Sequence, residues 1–276
     1  GSATAITNLV SDAGGVAADV AGVGTARMEI EACEYGGDKG IFAFGSWPYN
    51  ITAVSNLVSN AGVVATDVAG VGSARQAGGA CGYGADLGIF AYGYGASDYI
   101  SFSNLVSNVG VMGSDVTGVG TNHGYMGTCE YGEDKGIFAY GSTTGGTKVL
   151  ISNLVSNVGV VATDTVITGT ARSNTAACRY STDKGICGFG AGPSGDIGIT
   201  NLISNTGVVA SDVAAVGTAR DSLQACEYGG DKGIFAYGTT SAGVSTSNLV
   251  TNVGVVGSDV TGVGTARFWL GACSFN

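Results

Sequence analysis

An internal repeat constrains the fold of this chain more than any other feature of its sequence. An Asn-Leu pair opens each copy, with its asparagine at Asn8, Asn56, Asn104, Asn153, Asn201 and Asn248. Subtracting neighbouring positions gives periods of 48, 48, 49, 48 and 47 residues. A fixed period of this length is typical of solenoids, propellers and other repeat arrays, so the chain is expected to be built from similar units.

Each unit contains four short apolar runs separated by Gly, Asn and Asp. In the second unit these runs are 79–83, 88–93, 99–106 and a segment within 108–118. Val, Ile, Phe, Tyr and Thr dominate them, and none has the 3.6-residue apolar period of a helix. The separators supply the positive φ angles that hairpin turns need. Each repeat is therefore predicted to be a four-stranded antiparallel meander.

A single meander of this kind leaves both of its apolar faces uncovered. When four to eight such sheets are set radially around an axis, each covers its neighbour and the result is a propeller. The 50 glycines among 276 residues suit the tight turns and close contacts near such an axis. We therefore predict an all-β fold, a six-bladed β-propeller of four-stranded antiparallel blades. An open solenoid is the alternative.

The corners before each first strand divide the chain into blades. Five complete blades span 28–75, 76–123, 124–172, 173–220 and 221–267. Segments 5–27 and 268–276 are predicted to form a sixth blade, closed by the N- and C-terminal strands, within a single domain that covers 1–276. Such closure removes exposed strand edges. The sixth unit has no copy of DKGIFAYG, so either this blade has three strands or the chain is a piece of a longer array.

The order of these elements resembles the kelch repeat. KGIFAYG, a variable loop, a strand, a VGTAR corner and a strand leading to YGG recur along nearly the whole chain. Kelch repeats have about fifty residues, a strand ending in paired glycines and an arginine before the next inner strand. Here a single glycine often replaces the pair, and the tryptophan of the fourth kelch strand is missing. The glycine-rich repeats also resemble kelch-like proteins of bacteriophages and marine microbes, which implies a virion or extracellular surface location rather than a cytoplasmic one.

Charge and hydropathy exclude several classes of partner. Charged residues make up 12% of the chain, and its formal net charge is −10. Nucleic acids and anionic membranes both require basic patches, so neither is an expected partner. The chain has no run of eighteen apolar residues, so membrane insertion is not expected either.

Six of the seven cysteines occupy one position of the repeat. They are Cys33, Cys81, Cys129, Cys178, Cys226 and Cys273. A ring of thiols could bind a soft metal, whereas buried free cysteines serve as small apolar residues. Without Cys-x-x-Cys spacing or a partner histidine, we predict packing and no metal. Cys187 replaces a phenylalanine of the second strand and is a candidate disulfide partner for Cys178.

Arginine and aspartate also recur at fixed positions of the repeat. The corner arginines are Arg27, Arg75, Arg172, Arg220 and Arg267, and the aspartates of the fourth run are Asp19, Asp67, Asp115, Asp164, Asp212 and Asp259. A planar guanidinium can bond two carboxylate oxygens, so we predict structural Arg–Asp pairs that hold the corners. The alternative is an anion-binding ring of arginines at the channel mouth. In the third corner, Asn122-His123 replaces Ala-Arg.

The variable parts of the repeat indicate where a binding surface would lie. In a four-stranded meander, the loops between strands two and three emerge on the same face as the corners. The loops at 46–52, 94–101, 142–150, 191–199 and 239–246 differ between units, as do the segments after the corners. The turns expected on the opposite face are nearly identical. Loops on a rigid scaffold commonly carry binding residues, so we predict a recognition surface on the variable face.

The unusual residues of this face are mostly aromatic. They are Trp47, Tyr49, Tyr94, Asp98, Tyr99, His123, Tyr125, Met126, Phe268 and Trp269. Aromatic rings beside polar groups suit stacking on sugars or anchoring of a protein partner. Sequence drift in loops, with some rings packed inward, is the alternative explanation.

The sequence offers few residues for catalysis. Kelch-type copper oxidases need at least two histidine ligands, and this chain has one histidine, His123. No G-x-S-x-G elbow supports a Ser-His-Asp triad. The GVG corners join two strands and precede no helix, so they are not nucleotide-binding loops. Glu34, Glu130 and Glu227 recur at one repeat position and belong to the framework.

These observations together predict a non-enzymatic binding module without a cofactor. The family likeness implies a surface or virion adhesin whose variable loops meet a glycan or a protein. A purely structural assembly subunit, forming a homo-oligomer or part of a larger assembly, is the competing class. A carbohydrate-active enzyme such as a glycosidase or lyase is the third.

Overall fold

The regular elements of this chain are β-strands, apart from one short 3-10 turn at Thr144–Gly146. The structure is a computed structural model, and it describes residues 3–48, 50–214 and 216–275. The strands are β1 (Glu31–Tyr35), β2 (Lys39–Ala43), β3 (Ser55–Val58), β4 (Gly79–Tyr83), β5 (Leu87–Ala91), β6 (Ser103–Val106), β7 (Gly127–Tyr131), β8 (Lys135–Ala139), β9 (Ile151–Val155), β10 (Thr165–Val166), β11 (Ala176–Tyr180), β12 (Lys184–Gly188), β13 (Ala191–Gly192), β14 (Gly195–Asp196), β15 (Thr200–Ile203), β16 (Gln224–Tyr228), β17 (Lys232–Ala236) and β18 (Ser247–Val250). The all-β prediction is confirmed. No helix in these described ranges is long and apolar enough to span a membrane.

Each of the five complete repeats forms one small antiparallel sheet. The strand orders are β1-β2-β3, β4-β5-β6, β10-β9-β8-β7, β11-β12-β15 and β16-β17-β18, and β13-β14 is a separate hairpin in a loop. The register is the same throughout. In the first sheet Cys33 lies opposite Ile41, which lies opposite Leu57. We refer to the three strands of each sheet as inner, middle and third.

The predicted fourth strand is largely irregular. In the second repeat it pairs with the third strand only through single bridges, Val106 to Met112 and Ser103 to Val116. Only β10 of the third repeat forms a named fourth strand among the described residues. The segment is the outermost of its repeat, and Val109 and Val111 are 70% and 64% exposed. With one side facing water, its backbone can bond to solvent and does not need a continuous ladder.

Neighbouring sheets approach each other closely through a glycine and a cysteine. A Cβ built on Gly88 of the middle strand would lie 2.7 Å from Sγ of Cys33 in the preceding repeat, and one on Gly136 would lie 2.4 Å from Sγ of Cys81. No larger residue fits at this glycine position without moving the sheets apart. The regular cysteines are therefore placed as small packing residues between sheets.

The candidate Cys178–Cys187 disulfide is absent. Cys187 lies opposite Ala177, and Cys178 lies opposite Ile186. Because successive side chains of a strand point to opposite faces, residues offset by one position across the hairpin point apart. Both thiols are free.

A hydrogen-bonded network joins each corner to the next repeat. In the first copy, Asp67 accepts hydrogen bonds from the backbone N–H of Thr25 (3.1 Å) and from its hydroxyl (2.6 Å). Asn56 donates to Asp67 (2.8 Å) and accepts from Arg27 (2.6 Å). The hydrogen bond from Thr25 holds the pKa of Asp67 below its ordinary value. The carboxylate is therefore ionised at neutral pH.

The predicted direct Arg–Asp pairs are thus mostly replaced by an Arg–Asn–Asp relay. Among the described residues, guanidinium-to-aspartate contacts occur at two corners, Arg27 to Asp67 at 4.0 Å and Arg267 to Asp19 at 3.8 Å. The opening asparagine has the shorter bonds, because its amide can donate to the carboxylate while its oxygen accepts from the arginine.

The same network joins the two ends of the chain. Thr265 donates from its hydroxyl to Asp19 (2.6 Å), and Arg267 donates to Asn8. The C-terminal corner is thus bonded to the N-terminal segment in the way that the other corners are bonded to the next repeat.

Five of the six corner cations also cover an aromatic ring of their own repeat, carried by the residue directly after the middle strand. The guanidinium carbons of Arg75, Arg172, Arg220 and Arg267 lie 3.6, 3.9, 4.4 and 3.9 Å from the ring centres of Phe44, Tyr140, Phe189 and Tyr237. His123 takes the same place, with its ring 4.4 Å from that of Tyr92. Such contacts offset part of the cost of burying the charge.

We expect the relay asparagines to differ in their contribution to stability. Asn201 and Asn153 each donate to a backbone carbonyl and to an aspartate, but only Asn201 accepts from an arginine, Arg172, at 2.7 Å. The Oδ1 of Asn153 has no hydrogen-bond partner. Asn201→Ala should therefore reduce the free energy of unfolding by about 1–3 kcal/mol more than Asn153→Ala, because it also leaves a buried guanidinium without its acceptor. Urea unfolding measures both, and equal losses would contradict the relay.

Candidate binding surface

Six residues with left-handed backbone conformation form a series at the corners. Each stands two positions after a corner cation, and they are Glu29 (φ 53), Ala77 (φ 55), Tyr125 (φ 59), Asn174 (φ 50), Ser222 (φ 54) and Trp269 (φ 56). We call these six residues the corner ring. None is a glycine, so the left-handed conformation of each residue costs free energy that the surrounding contacts must offset.

Backbone hydrogen bonds link members of the corner ring from one repeat to the next. The N–H of Ala77 donates to the carbonyl of Glu29 (3.1 Å), and that of Tyr125 donates to Ala77 (2.8 Å). The N–H of Ser222 donates to Asn174 (3.0 Å), and that of Trp269 to Ser222 (3.0 Å). Glu29 in turn donates to Trp269 (2.9 Å), which connects the first repeat to the C-terminal segment.

The variable loop of each repeat lies beside the segment that follows its corner. Single antiparallel bridges join the two at Met28 and Ser46, Gln76 and Tyr94, Gly124 and Ser142, Ser173 and Ala191, and Asp221 and Thr239. The two sets of variable residues therefore meet at the base of every loop, as expected if they share a face.

Three tyrosines and a glutamate form the largest aromatic group at this surface. Tyr99 packs edge-on against Tyr94, with ring centres 5.3 Å apart, and against Tyr125 at 6.5 Å. The hydroxyl of Tyr125 donates to Oε1 of Glu29 (3.1 Å). All three rings are half-buried, so each has both a packed part and an accessible part.

Asp98 ties this group to the loop of the third repeat. Its carboxylate accepts hydrogen bonds from the hydroxyl of Thr144 and from the backbone N–H of Tyr99. These bonds, that from Thr144 above all, hold the pKa of Asp98 below its ordinary value. An exposed, ionised carboxylate therefore lies next to the tyrosines.

Several buried polar atoms at the corner ring have no hydrogen-bond partner. They are Oε2 of Glu29, Oδ1 of Asn174, Oδ1 of the adjacent Asp221 and Nε1 of Trp269. Buried polar groups in native proteins are usually bonded to protein or to water. These three acceptors and the indole donor lie below the surface, where bound water is the usual partner of such groups.

Burial raises the pKa of Glu29, and the hydrogen bond from Tyr125 opposes part of that rise. Burial also raises the pKa of Tyr125, with the charge of Glu29 as a further cause, so its phenol stays protonated and remains a donor at neutral pH. The Glu29–Tyr125 pair therefore supplies a hydrogen-bonding group and a ring at one point of the surface.

The other predicted site residues lie in several environments. Trp47 is 38% exposed in the loop of the first repeat, and Phe268 packs edge-on against Trp269 with ring centres 4.9 Å apart. His123 is fully buried in the place of a corner arginine, and Met126 is also buried, so neither presents a surface group. Tyr49 lies outside the described residues.

Sequence reasoning found Tyr125 and Trp269 but missed Glu29, Asn174 and Ser222 as members of one series. The signal was their constant offset of two residues from the corner cation. Because the side chains at this offset are all different, the repeat pattern hid it.

The inner strands line a small, open cavity of about 70 Å³. Arg179 there donates to Glu130 (3.0 Å) and to Glu227. Burial lowers the pKa of Arg179, but Glu227, Glu130 and Glu34 outweigh it and hold the pKa above its ordinary value. Burial raises the pKa of the Cys226 thiol to about 12, so this thiol is protonated at neutral pH. No three His, Cys, Asp or Glu side chains in the described ranges are grouped to hold a metal.

No protein-family model matches this chain, and a search of curated proteins finds no relative. The class that the structure defines is therefore an all-β repeat protein of small antiparallel sheets. Its kelch resemblance stays a prediction.

The raised pKa of Glu29 predicts a specific pH dependence of stability. An unfolded glutamate releases its proton near pH 4.3, whereas folded Glu29 keeps it to a higher pH. Between these two pKa values the folded state binds more protons, so the contribution of Glu29 to stability is present below about pH 4.3 and is lost as pH rises through the folded pKa.

The free energy of unfolding of the wild type minus that of Glu29→Gln should therefore fall with rising pH. Tyr125→Phe should extend this fall to higher pH, since it removes the hydrogen bond to the charged form. Urea unfolding between about pH 4 and 8 measures both, and a difference that rises with pH would exclude a raised pKa.

Proposed function

We propose that the five sheets and the two terminal segments are the blades of a six-bladed β-propeller, with four-stranded blades where the fourth segment is counted as a strand. Two observations support this arrangement. The Asn–Asp–Arg network repeats across the junction between the C-terminal corner and Asn8. The small inner cavity is lined by Cys33, Cys81, Cys129, Cys178, Cys226 and Cys273, one residue from every repeat.

We further propose that this scaffold is a non-enzymatic binding module that recognises a glycan or a protein through its corner ring and variable loops. The observation that carries this proposal is the group of three half-buried tyrosines beside the exposed, ionised carboxylate of Asp98. Sugars present apolar ring faces and many hydroxyls, so they suit aromatic surfaces beside hydrogen-bond acceptors. A glycan is therefore the better fit of the two.

Rigidity favours the same conclusion. The corner ring is held by backbone bonds, and the loop of the second repeat is tied to the third by Asp98 and Thr144. A preorganised surface loses little conformational freedom on binding, which increases affinity for a given set of contacts. A virion or cell-surface adhesin would use such a surface.

Glycan and protein arrays probed with the labelled full chain test this function. We expect Trp269→Ala and Tyr99→Ala each to weaken the binding found with the wild type by about tenfold or more, which corresponds to about 1.4 kcal/mol. Val158→Ser, at an exposed turn that belongs to neither variable set, is the matched control and should bind as the wild type does. Binding that survives both aromatic substitutions would contradict the assignment of this surface.

A second candidate function, a structural assembly subunit, rests on a different observation. Pairs of exposed valines recur at the turns after the third strand, at Val109 and Val111, Val158 and Val160, and Val253 and Val255, each at least 59% exposed. Exposed apolar groups at regular intervals favour contact between copies. Concentration-dependent oligomers in sedimentation, lost in a Val158→Asp, Val160→Asp variant, would support this candidate.

A further inference from the structure

The incomplete sixth repeat lines a partly open cavity. It has a volume of about 320 Å³ and lies between residues 3–10 on one side and 266–275 on the other. In the five complete repeats the place between the equivalent segments is filled by the middle strand, as β2 lies between β1 and β3. This chain has no copy of that strand in its sixth repeat.

The two flanking segments keep their repeat positions. A Cβ on Gly40 would lie 2.5 Å from Sγ of Cys273, as Gly88 does with Cys33. A Cβ on Gly62 would lie 2.5 Å from Leu9, matching the contact of Gly110 with Leu57 at 3.0 Å. The gap between the segments is therefore held open at the width of a strand.

Both segments present backbone edges toward the gap. In complete repeats the third strand pairs on both sides, whereas residues 4–10 pair only outward, through the bridges Thr7 to Val20 and Val10 to Val16, and at the corner through Thr4 and Arg27. The described part of the C-terminal segment, 271–275, forms no ladder. Unpaired strand edges are templates for the addition of an extended peptide.

Arg27 shows what the missing strand contributes. The other corner cations each cover an aromatic ring of their own repeat. Within the described ranges, no aromatic ring packs against the guanidinium of Arg27. Arg27 lines the cavity, is 8% exposed, and has no hydrogen-bond partner at Nε or Nη1. The sixth repeat therefore has the cation without its ring.

A residue on each of the two neighbouring sheets also lacks its usual contact. Phe90 packs on Phe44 and Phe138 on Tyr92, with ring centres 5.6 and 5.4 Å apart. The matching residue of the first sheet, Phe42, lines the cavity and is only half-buried, whereas Phe90 and Phe138 are fully buried. Cys226 likewise faces the cavity where the other repeats place a glycine.

We propose that this cavity binds an extended peptide strand of the pattern Gly-Ile-Phe-Ala-aromatic, which completes the sixth sheet. Its glycine would face Cys226, its phenylalanine would pack against Tyr237, and its final aromatic ring would lie under Arg27 and beside Phe42. The N–H of the following residue would donate to the carbonyl of Arg27, as Gly45 donates to Arg75 at 2.8 Å.

A labelled peptide with the sequence of residues 230–238, GDKGIFAYG, tests the proposal against the full chain. We expect saturable binding with one peptide per chain by fluorescence anisotropy, and a rise in melting temperature with peptide concentration. Replacing the central glycine of the peptide by valine should weaken binding at least tenfold, since a side chain there would clash with Cys226. Absence of saturable binding, or equal binding of a scrambled peptide, would overturn the proposal.

A double-mutant cycle locates the peptide in the cavity. Replacing the peptide tyrosine by alanine and replacing Arg27 by Ala should each weaken binding about threefold to tenfold, and the two effects should not add, because they remove the same contact. Additive effects would show that the ring does not lie under Arg27. The peptide variants alone, used with the wild-type chain, keep the test valid if Arg27→Ala does not fold.

Sedimentation with and without peptide distinguishes a second copy of the chain as the occupant. A dimer that the peptide does not dissociate would show that a second copy, and not a strand of this pattern, occupies the cavity, and it would overturn the proposal. Binding to the corner surface is measured separately with the arrays, so the two proposals fail independently.

Discussion

The asparagine that opens each third strand makes the contact on which the arrangement of the repeats depends. Its amide group donates to an aspartate of its own repeat, and at four of the six asparagines its oxygen also accepts from the arginine of the preceding corner. At Asn153 and Asn248 the oxygen has no such partner. The aspartate holds the corner through a threonine or serine hydroxyl at every junction. Because these bonds from threonine or serine to aspartate cross from one repeat to the next each time, they set the spacing and orientation of successive sheets.

This network explains why a chain with few charges buries several of them. Arg75, Arg172 and Arg220 are fully buried, and a buried guanidinium without partners would be strongly destabilising. Each has an aromatic ring on one side, and Arg172 also has the asparagine oxygen as acceptor. The glycine of the corner also contacts this network. Gly72 has φ 82, and a Cβ there would lie 2.4 Å from Asp115 Oδ1, so a side chain would displace the carboxylate.

Function is expected where the regular pattern is interrupted. The corner ring keeps one backbone conformation at six places but carries an acid, a methyl group, a phenol, an amide, a hydroxyl and an indole. The backbone is rigid and has the same conformation at all six places, whereas the chemistry of the side chain differs from one place to the next. The sixth repeat interrupts the pattern in another way, since it keeps the frame of a sheet and lacks its middle strand.

The sequence by itself determined the repeat, the strand character and the bounds of the inner strand in the second repeat. The run predicted at 79–83 is β4 without change. Periodicity and turn residues suffice to predict this strand because both depend only on residues that are close together in the sequence. The fourth run was predicted as a strand from the same signals, but its exposure left it irregular, and exposure is a property of the assembled sheets.

Only the tertiary structure decided which polar groups meet. Arginine and aspartate recur together in the sequence, yet asparagine lies between them, because partner choice depends on distances that spacing along the chain does not contain. His123 looked like a surface residue and is buried on Tyr92. Glu29 and Tyr125 are 96 residues apart and share a hydrogen bond. Contacts between repeats arise from packing across sheets. The pattern of variation along the sequence could therefore predict which segments vary, but not which of their side chains meet.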